Sequence, residues 1–397
     1  MRTPWQTPLP FIVRCTTRWP SWMLHRSCRP PWCARDLGEP IGIIMTSQFI
    51  NTEIQTETGF QAWHFDLPAL GRTSMLLEHG VAELRAVLDS DQLSLVVEFN
   101  RDGEQALLMR NWHVAARRED ARRSRLALLL ILDLVFARHH SVQRIGVGQR
   151  DCGALLPAGM LRDDWIERGV FYQWPELWLD KGCVYPEPAC WHVTNAVRHP
   201  RRPPQPEQGA FYRRYIPELK QTLSFRVVHP VNDLDLFHDW MNQPRVAPIW
   251  ELGLPKAELQ QYLQQRQADQ HIFSVFGCFD DVPFGYFELY WTREDRLGPY
   301  YDAGDFDRGL HVLVGDVNFL GTRYFTAWVT GLTHFLFLDD PRTQRVMGEP
   351  RADNKALLKH LATIPAFHNL KEFDFPHKRA ALLECTRERF FELIPLP

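Results

Sequence analysis

The chain has 397 residues, of which 45% are hydrophobic and 23% charged, a composition typical of a folded protein rather than a disordered one. Its 45 basic and 48 acidic residues leave a formal net charge of −3, so no overall positive field exists to hold DNA or RNA. The longest apolar run, residues 126–137, is shorter than the roughly 20 residues that a membrane span needs, so we expect neither nucleic acid nor membrane as a partner.

The cysteines do not form a recognisable metal or disulfide pattern. No C-x-x-C pair occurs among the eight, which are Cys15, Cys28, Cys33, Cys152, Cys183, Cys190, Cys278 and Cys385. Scattered thiols of this kind are typical of a reduced, cytoplasmic protein. Nothing in the sequence requires a metal ion.

The first 44 residues differ in composition from the rest of the chain. Residues 1–35 contain six arginines, several prolines and no acidic residue, without an amphipathic period. A basic targeting peptide is one interpretation, but the content of tryptophan and proline suits it poorly. We predict that residues 1–44 are a disordered upstream extension and that Met45 is the more natural start.

Residues 45–185 predict an N-terminal α/β domain. In chain order we expect a short helix over 78–88, a hairpin of strands 93–100 and 105–109, a helix over 119–139 and a strand over 142–148. The helix over 119–139 is acidic at its start and basic at its end, as the helix dipole favours. Residues 186–210 contain six prolines by position 206 and predict a stiff, extended linker.

Residues 211–397 predict a second domain with a mixed sheet and helices on its faces. The expected order is strand 224–229, helices 232–241 and 256–267, strands 271–279, 284–291 and 309–314, helix 322–338, strand 345–348, helix 353–361, and strands 371–375 and 379–383. This order is β-α-α-β-β-β-α-β-α-β-β.

Four motifs in this second domain carry a resemblance to a known family. They are FELYW at 287–291, FDRGLH at 306–311, EPRADN at 349–354 and KEFDFPHKR at 371–379. Together with the element order they resemble the GNAT acyltransferases of siderophore biosynthesis, and most closely those of the aerobactin type. The resemblance implies an α/β (α+β) GNAT acyltransferase fold for residues 211–397. The N-terminal α/β domain would then be a degenerate second copy or a dimerisation platform.

The resemblance also implies an activity. Enzymes of this type use acetyl-CoA to acetylate the side-chain hydroxylamine of N-hydroxylysine, which forms a hydroxamate. The sequence leaves open hydroxyornithine, an N-hydroxylated diamine or lysine as acceptor, succinyl-CoA as donor, and a homodimer as the assembly. A module that binds acyl-CoA without catalysis is the alternative from another class.

His311 and Glu349 are the predicted catalytic pair. His311 lies in an apolar strand before a strand-to-helix loop and matches the active-site histidine of the family. An imidazole with a pKa near 6.5 can accept a proton at neutral pH. Glu349 follows the next strand, and strand ends are where α/β clefts hold their chemistry. We expect the pair to orient the acceptor and to handle its proton.

The remaining site predictions concern the two substrates. The loop 315–322 enters a long helix whose N-terminal N–H groups suit a pyrophosphate. The predicted acyl-CoA contacts are Val312, Val314, Asn318, Gly321, Thr322, Arg323 and Asn354, although Asn354 is also suited to cap a helix. The predicted acceptor contacts are Trp250, Glu288, Tyr290, Trp291 and Tyr301.

Overall fold

The computed structural model describes residues 60–67, 70–80, 83–116, 120–148, 153–157, 159–179, 190–194 and 196–396. The predicted extension over 1–44 lies outside these residues. Within them the chain forms two eight-stranded mixed sheets, one in each half, and a two-stranded ribbon between them in sequence.

The N-terminal half forms an eight-stranded sheet with one long helix packed against it. Its elements are β1 (Phe60–Leu67), β2 (Gly71–His79), β3 (Glu83–Ser90), β4 (Leu93–Arg101), β5 (Ala106–Ala116), α1 (Ala121–Arg138), β6 (Arg144–Val147), β7 (Leu161–Arg162), β8 (Trp165–Glu167) and α2 (Arg168–Phe171). The predicted hairpin over 93–109, the helix and the strand after it are confirmed.

The helix predicted over 78–88 is wrong, because these residues belong to β2 and β3. Leu84, Ala86 and Leu88 are buried while the residues between them are more exposed. Leu84 and Leu88 are spaced for a helix as well as for a strand, so the local pattern is ambiguous. Pairing with β2 on one side and β4 on the other decides in favour of the strand.

The C-terminal sheet has the predicted order of elements with additions at both ends. Its elements are β11 (Ala210–Ile216), β12 (Gln221–Val227), α3 (Leu234–Met241), α4 (Ala247–Trp250), α5 (Lys256–Ala268), β13 (Ile272–Phe279), β14 (Val282–Trp291), β15 (Arg308–Val314), α6 (Thr322–Asp339), β16 (Arg345–Gly348), α7 (Lys355–Leu361), β17 (Phe367–Asp374), β18 (Arg379–Thr386) and α8 (Arg387–Leu393). Strand β11, helix α4 and helix α8 were not predicted.

The segment predicted as an extended linker contains regular structure. Strands β9 (Trp191–Thr194) and β10 (Val197–Pro200) pair antiparallel. Arg202 is buried and donates to both carboxylate oxygens of Glu294, while its guanidinium lies 4.4 Å from the ring centroid of Trp291. The prolines limit the local conformations, but a hairpin and a buried ion pair fix this part of the segment.

The two sheets share one topology. In each, five antiparallel strands are followed by a long helix, a strand parallel to the fifth, and a closing hairpin whose second strand pairs with that parallel strand. The main difference lies between the second and third strands. Residues 80–82 join β2 to β3, whereas helices α3 to α5 lie between β12 and β13 and pack on one face of the C-terminal sheet.

An arginine recurs at the same place in both halves, buried in the first and half-buried in the second. Arg168 begins α2 and donates to the carbonyl groups of Phe136 and Val142, near the end of α1. Arg387 begins α8 and donates to the carbonyl groups of Phe337 and Thr343, near the end of α6. Because both arginines follow the last strand of their half in sequence, the shared topology extends to this contact, and the N-terminal half is a second copy of the fold.

The two halves pack against each other through buried polar contacts. Arg214 on β11 lies 3.4 Å from Asp133 on α1 and donates to the carbonyl group of Leu396 at 3.1 Å. His334 on α6 contacts the carbonyl oxygen of Tyr172 at 2.6 Å. Both sheets therefore belong to one compact unit.

Candidate active site

The candidate site lies where two parallel strands separate. Strands β15 and β16 are in register at Arg308–Val346 and Gly309–Met347. Strand β16 ends at Gly348, whereas β15 continues to Val314, so a gap opens beside the second half of β15. His311 lies on β15 in this gap, and Glu349 follows the last residue of β16.

His311 is held between two carboxylates. Its Nε2 lies 2.8 Å from Oε1 of Glu349, and its Nδ1 lies 3.0 Å from Oε2 of Glu288. Glu288 is directly opposite His311 in the ladder between β14 and β15, which explains the second contact. The structure therefore brings the two predicted catalytic residues together and adds a third group.

Further side chains hold the two carboxylates in place. Tyr290 donates its hydroxyl to Oε2 of Glu349 at 2.6 Å, and Arg296 lies 3.6 Å from Oε1. Lys378 donates to the backbone carbonyl of Glu349 at 2.7 Å. Both carboxyl groups are nearly fully buried, so these contacts replace water around their charges.

The ionisation of the three groups follows from their mutual contacts. Burial opposes the charge of His311, but the charge of Glu349 and the hydrogen bonds that the ring donates to both carboxylates outweigh it and raise the pKa of His311 to about 9. Burial likewise opposes the charge of Glu288, and the contact with His311 lowers the pKa of Glu288 to about 2. The pKa of Glu349 also lies well below its usual range, because His311, Lys378 and Arg296 outweigh burial.

This result changes the role expected for His311. With a pKa of about 9 the imidazole is protonated at neutral pH, so the free site does not offer it as a proton acceptor. The sequence predicted a neutral general base with an ordinary pKa. The difference arises because two buried carboxylates, rather than one, contact the ring.

Backbone groups of β15 face the same gap. The N–H of Gly315 donates to the carbonyl group of Phe284, and the N–H of Thr292 donates to that of Asp307. These two bonds determine which residues of β14 and β15 form hydrogen-bonded pairs. The backbone groups of His311 then point towards β14, and those of Val312 and Val314 point towards the opposite edge. Beyond Gly309 that edge is no longer paired with β16. These two predicted residues are therefore placed to bind an extended chain by their backbone.

The loop after β15 leads into the N-terminus of α6. Gly321 precedes the helix with a φ of 113°, and no side chain of the described residues caps this end. A side chain at this position would be strained, although its Cβ would meet nothing within 4 Å. Thr322 and Arg323 begin the helix, and Arg323 donates to the carbonyl group of Glu218. Asn318 donates its backbone N–H to Asp316.

Asn354 has a structural contact that accounts for its identity. Its side-chain oxygen accepts from the N–H of Leu357 at 3.2 Å and caps α7. The carboxylate of Asp353, the residue before it, instead contacts the guanidinium of Arg351 at 3.0 Å. A contact of Asn354 with the pantetheine arm remains a prediction.

The predicted acceptor residues divide between the two faces of β14. Tyr290 lies on the face of His311, with its ring centroid 4.7 Å from the imidazole, and the ring of Trp250 lies 6.4 Å away. Trp291 points to the other face, where Arg308 lies over its ring. Tyr301 donates its hydroxyl to Asp307 at 3.0 Å. The structure therefore does not bring Trp291 and Tyr301 to His311.

Four residues at the site were missed by the sequence reasoning. They are Tyr262, Tyr286, Arg296 and Lys378, which contact Glu288 or Glu349. Tyr286, Glu288 and Tyr290 occupy every second position of β14, so strand periodicity could have placed Tyr286 on the face of His311. Tyr262 lies on α5, and nothing in its local sequence indicates a contact with β14.

Comparison with known proteins identifies the class. The model of the acetyltransferase (GNAT) domain matches residues 229–375, which include both His311 and Glu349. An aminoglycoside acetyltransferase solved in complex with coenzyme A matches 43% of this chain and 98% of its own, with 21% identity and a TM-score of 0.39. The chain is a GNAT acyltransferase, as the four motifs predicted.

Curated relatives define the family more closely. The chain belongs to the family of the N(6)-hydroxylysine O-acetyltransferase of Escherichia coli, with which it is 42% identical over 245 residues, 61% of this chain and 76% of the relative. It is 47% identical over 201 residues to the N(5)-hydroxyornithine:cis-anhydromevalonyl coenzyme A-N(5)-transacylase of Beauveria bassiana, covering 50% of this chain and 44% of that protein. A putative lysine N-acyltransferase of Schizosaccharomyces pombe is 42% identical over 58% of this chain and 68% of its own.

Among the described residues, every helix is too short or too polar to cross a membrane.

Proposed function

We propose that this protein transfers an acetyl group from acetyl-CoA to the side-chain hydroxylamine of N-hydroxylysine, as a step of hydroxamate siderophore biosynthesis in the cytoplasm. The observation that carries the proposal is the meeting of His311 and Glu349 at 2.8 Å, beside a strand edge that is not paired with β16 beyond Gly309. The similarity to a hydroxylysine acetyltransferase over most of that relative's length supports the choice of acceptor.

The reaction needs positioning more than a strong base. The nitrogen lone pair of the hydroxylamine attacks the thioester carbonyl carbon, the C–N bond forms and the C–S bond breaks. The nitrogen loses one proton, and coenzyme A leaves as a thiolate that takes up one proton. A hydroxylamine nitrogen is largely unprotonated at neutral pH, so holding it against the carbonyl group supplies much of the rate. The cationic His311 stabilises negative charge that develops at the carbonyl oxygen.

The donor would lie along the gap beside β15. Pantetheine amides can pair with the backbone edge at Val312 and Val314, as an added strand does. The uncapped N–H groups at the start of α6, near Gly321 and Arg323, suit the pyrophosphate. The acceptor would lie on the side of His311 where the rings of Trp250 and Tyr290 pack.

The test is turnover by the purified full chain. Acetyl-CoA is mixed with N6-hydroxylysine, and release of free thiol is followed together with the product mass and its colour with Fe³⁺. A hydroxamate chelates Fe³⁺, whereas an O-acetyl ester does not, so the colour reports which atom was acylated. Parallel reactions contain lysine, N5-hydroxyornithine or N-hydroxycadaverine, and succinyl-CoA replaces acetyl-CoA.

We expect the highest kcat/KM with N6-hydroxylysine and acetyl-CoA, and a hydroxamate product. Preference for another hydroxylamine would keep the reaction and change the acceptor. Tight binding of coenzyme A without turnover of any hydroxylamine would overturn the proposal and favour a non-catalytic binding module.

A further inference from the structure

Glu288 is enclosed by the side chains of neighbouring residues. It lies in the centre of β14 and is 3% exposed. Its Oε1 accepts hydrogen bonds from the hydroxyls of Tyr262 and Tyr286, the second at 2.9 Å, and its Oε2 lies 3.0 Å from His311 Nδ1. These three contacts engage both oxygens and leave the side chain directed at the imidazole.

The contacts of the two carboxyl groups determine what His311 can donate to. The tyrosine hydroxyls donate to Glu288, and Tyr290 donates to Glu349, so both carboxyl groups are acceptors. A carboxylate has no hydrogen to give, so each ring nitrogen that contacts one must carry its own. Arg296 also lies 3.3 Å from Nε2, but the contact with Glu349 is shorter, at 2.8 Å. With both carboxyl groups ionised, as the lowered pKa of each indicates, both nitrogens of His311 hold hydrogens and the ring is a cation.

We propose that Glu288 is a positioning residue that fixes the ring of His311 and keeps it an imidazolium in the free enzyme. It acts through Nδ1, on the side away from the gap between β15 and β16, while Nε2 meets Glu349 at the end of β16. The inference deepens the proposed acyl transfer, on which its catalytic part rests. Its statement about the ring itself does not depend on any substrate.

Removing the charge of Glu288 has two expected consequences. The Nδ1 hydrogen loses its charged partner, and an opposite charge at this distance typically moves a pKa by about 1 to 3 units. The pKa of His311 should then fall towards its ordinary value. The orientation of the ring also becomes less restricted, so the cation is less often in the position that stabilises the transition state.

The experiment compares Glu288→Gln with the unaltered full chain. The ring resonances of His311 are assigned by their absence in His311→Gln and titrated by NMR without substrates. We expect the pKa of His311 to fall by at least 1 unit, and kcat to fall at least 10-fold with a change in acceptor KM of less than 3-fold. The matched control is Glu258→Gln, on the exposed surface of α5, which should change neither quantity.

An unchanged pKa of His311 in Glu288→Gln overturns the proposal. So does a raised acceptor KM at constant kcat, because that pattern belongs to a residue that binds substrate. If Glu288→Gln does not fold, Tyr262→Phe tests the same contact. Without the Tyr262 hydroxyl the carboxylate of Glu288 is a stronger acceptor, so the pKa of His311 should rise, and an unchanged or lower pKa counts against the proposal.

Failure of the proposed acyl transfer can be distinguished from failure of the role proposed for Glu288. The titration is made without substrates, so it reports on the Glu288–His311 contact even in a protein that acylates no hydroxylamine. A lowered pKa of His311 together with absent turnover would support the positioning of the ring and contradict the acyl transfer.

Discussion

At the scale of single residues, the charge of His311 links the site to the stability of the protein. The native pKa of about 9 lies above the ordinary value of 6.5. A group whose pKa is raised on folding stabilises the native state below its unfolded pKa, and this contribution is lost as the pH rises through its folded pKa. The shift corresponds to roughly 3 kcal/mol. Stability should therefore decrease between pH 6.5 and 9.

His311→Gln tests this dependence. The free energy of unfolding is measured with urea at several pH values from 6 to 9.5 for both proteins. We expect the unaltered protein to lose about 3 kcal/mol more than the variant over this interval. His271 also has a pKa raised to about 9, because Asp269 and Asp295 outweigh its burial, but it contributes equally to both proteins. Parallel pH profiles would contradict the assignment.

Glu349 is an ionised carboxylate that several polar side chains contact. Four groups contact it, including Tyr290 and Lys378, and its side chain is 1% exposed. Glu349→Gln keeps the shape and removes the charge that helps to hold His311 cationic. We expect kcat/KM to fall by about 10²-fold, because a displacement of about 1 Å in the positioned groups can cost that much. Glu372→Gln, which alters an exposed pair with Arg379, should leave kcat/KM unchanged.

At the scale of elements, close packing between β14 and β15 supports the site. Gly309 lies against the ring of Tyr290, and a Cβ there would come within 2.2 Å of the ring. Tyr290 cannot retreat easily, because it is fully buried and bonded to Glu349. Gly309→Ala should therefore cost about 1 to 3 kcal/mol of stability and also lower kcat.

Gly348→Ala is the matched control for this substitution. Gly348 lies on the neighbouring strand β16, where a Cβ would meet only Leu383 and Pro350, both at 3.9 Å. Thermal midpoints and kcat are measured for both variants. Equal effects at the two positions would show that contact with Tyr290 is not what requires glycine at 309.

Sequence patterns were most informative where an element is long or buried on one face. Helices α1 and α6 and the order from β12 to β18 follow from apolar periodicity. Strands β2 and β3 were missed because the apolar spacing of these residues fits both a helix and a strand. Pairing between the two strands, which is not a local property of the sequence, decides in favour of the strand. The meeting of His311 with Glu349 followed from the family motifs. Tyr262 was missed because its contact with β14 depends on how α5 packs.

At the scale of the whole molecule, a buried ion pair joins the two halves. Arg214 is fully buried next to Asp133, and removing one partner of such a pair typically costs about 3 to 5 kcal/mol. Arg214→Met should therefore lower the urea midpoint strongly. Arg213 pairs with Asp281, which is exposed, so Arg213→Met should change the free energy of unfolding by less than about 1 kcal/mol. Similar midpoints for the two variants would contradict a stabilising role for the contact between the halves.

The duplication of the fold raises the question of how many coenzyme A molecules one chain binds. The two copies are aligned by matching Arg168 to Arg387 and the parallel pair β5–β6 to the pair β15–β16. This alignment places Glu98, Arg110 and Gly148 at the positions of Glu288, His311 and Glu349. The N-terminal copy thus has neither the imidazole nor the second carboxylate. The difference extends to the helix that would face a pyrophosphate.

The residue that precedes α1 is Asp120, an acidic cap, whereas the residue that precedes α6 is Gly321. Asp120 accepts from the N–H groups of Arg122 and Arg123 at 3.0 and 3.2 Å, so its carboxylate occupies the place that a phosphate would take. We therefore expect isothermal titration of the full chain with coenzyme A to give one site per chain. His311→Gln should keep that stoichiometry, because in the proposed arrangement the pyrophosphate lies at the start of α6 and not at the imidazole. Two sites per chain would mean that the N-terminal copy binds the donor despite Asp120.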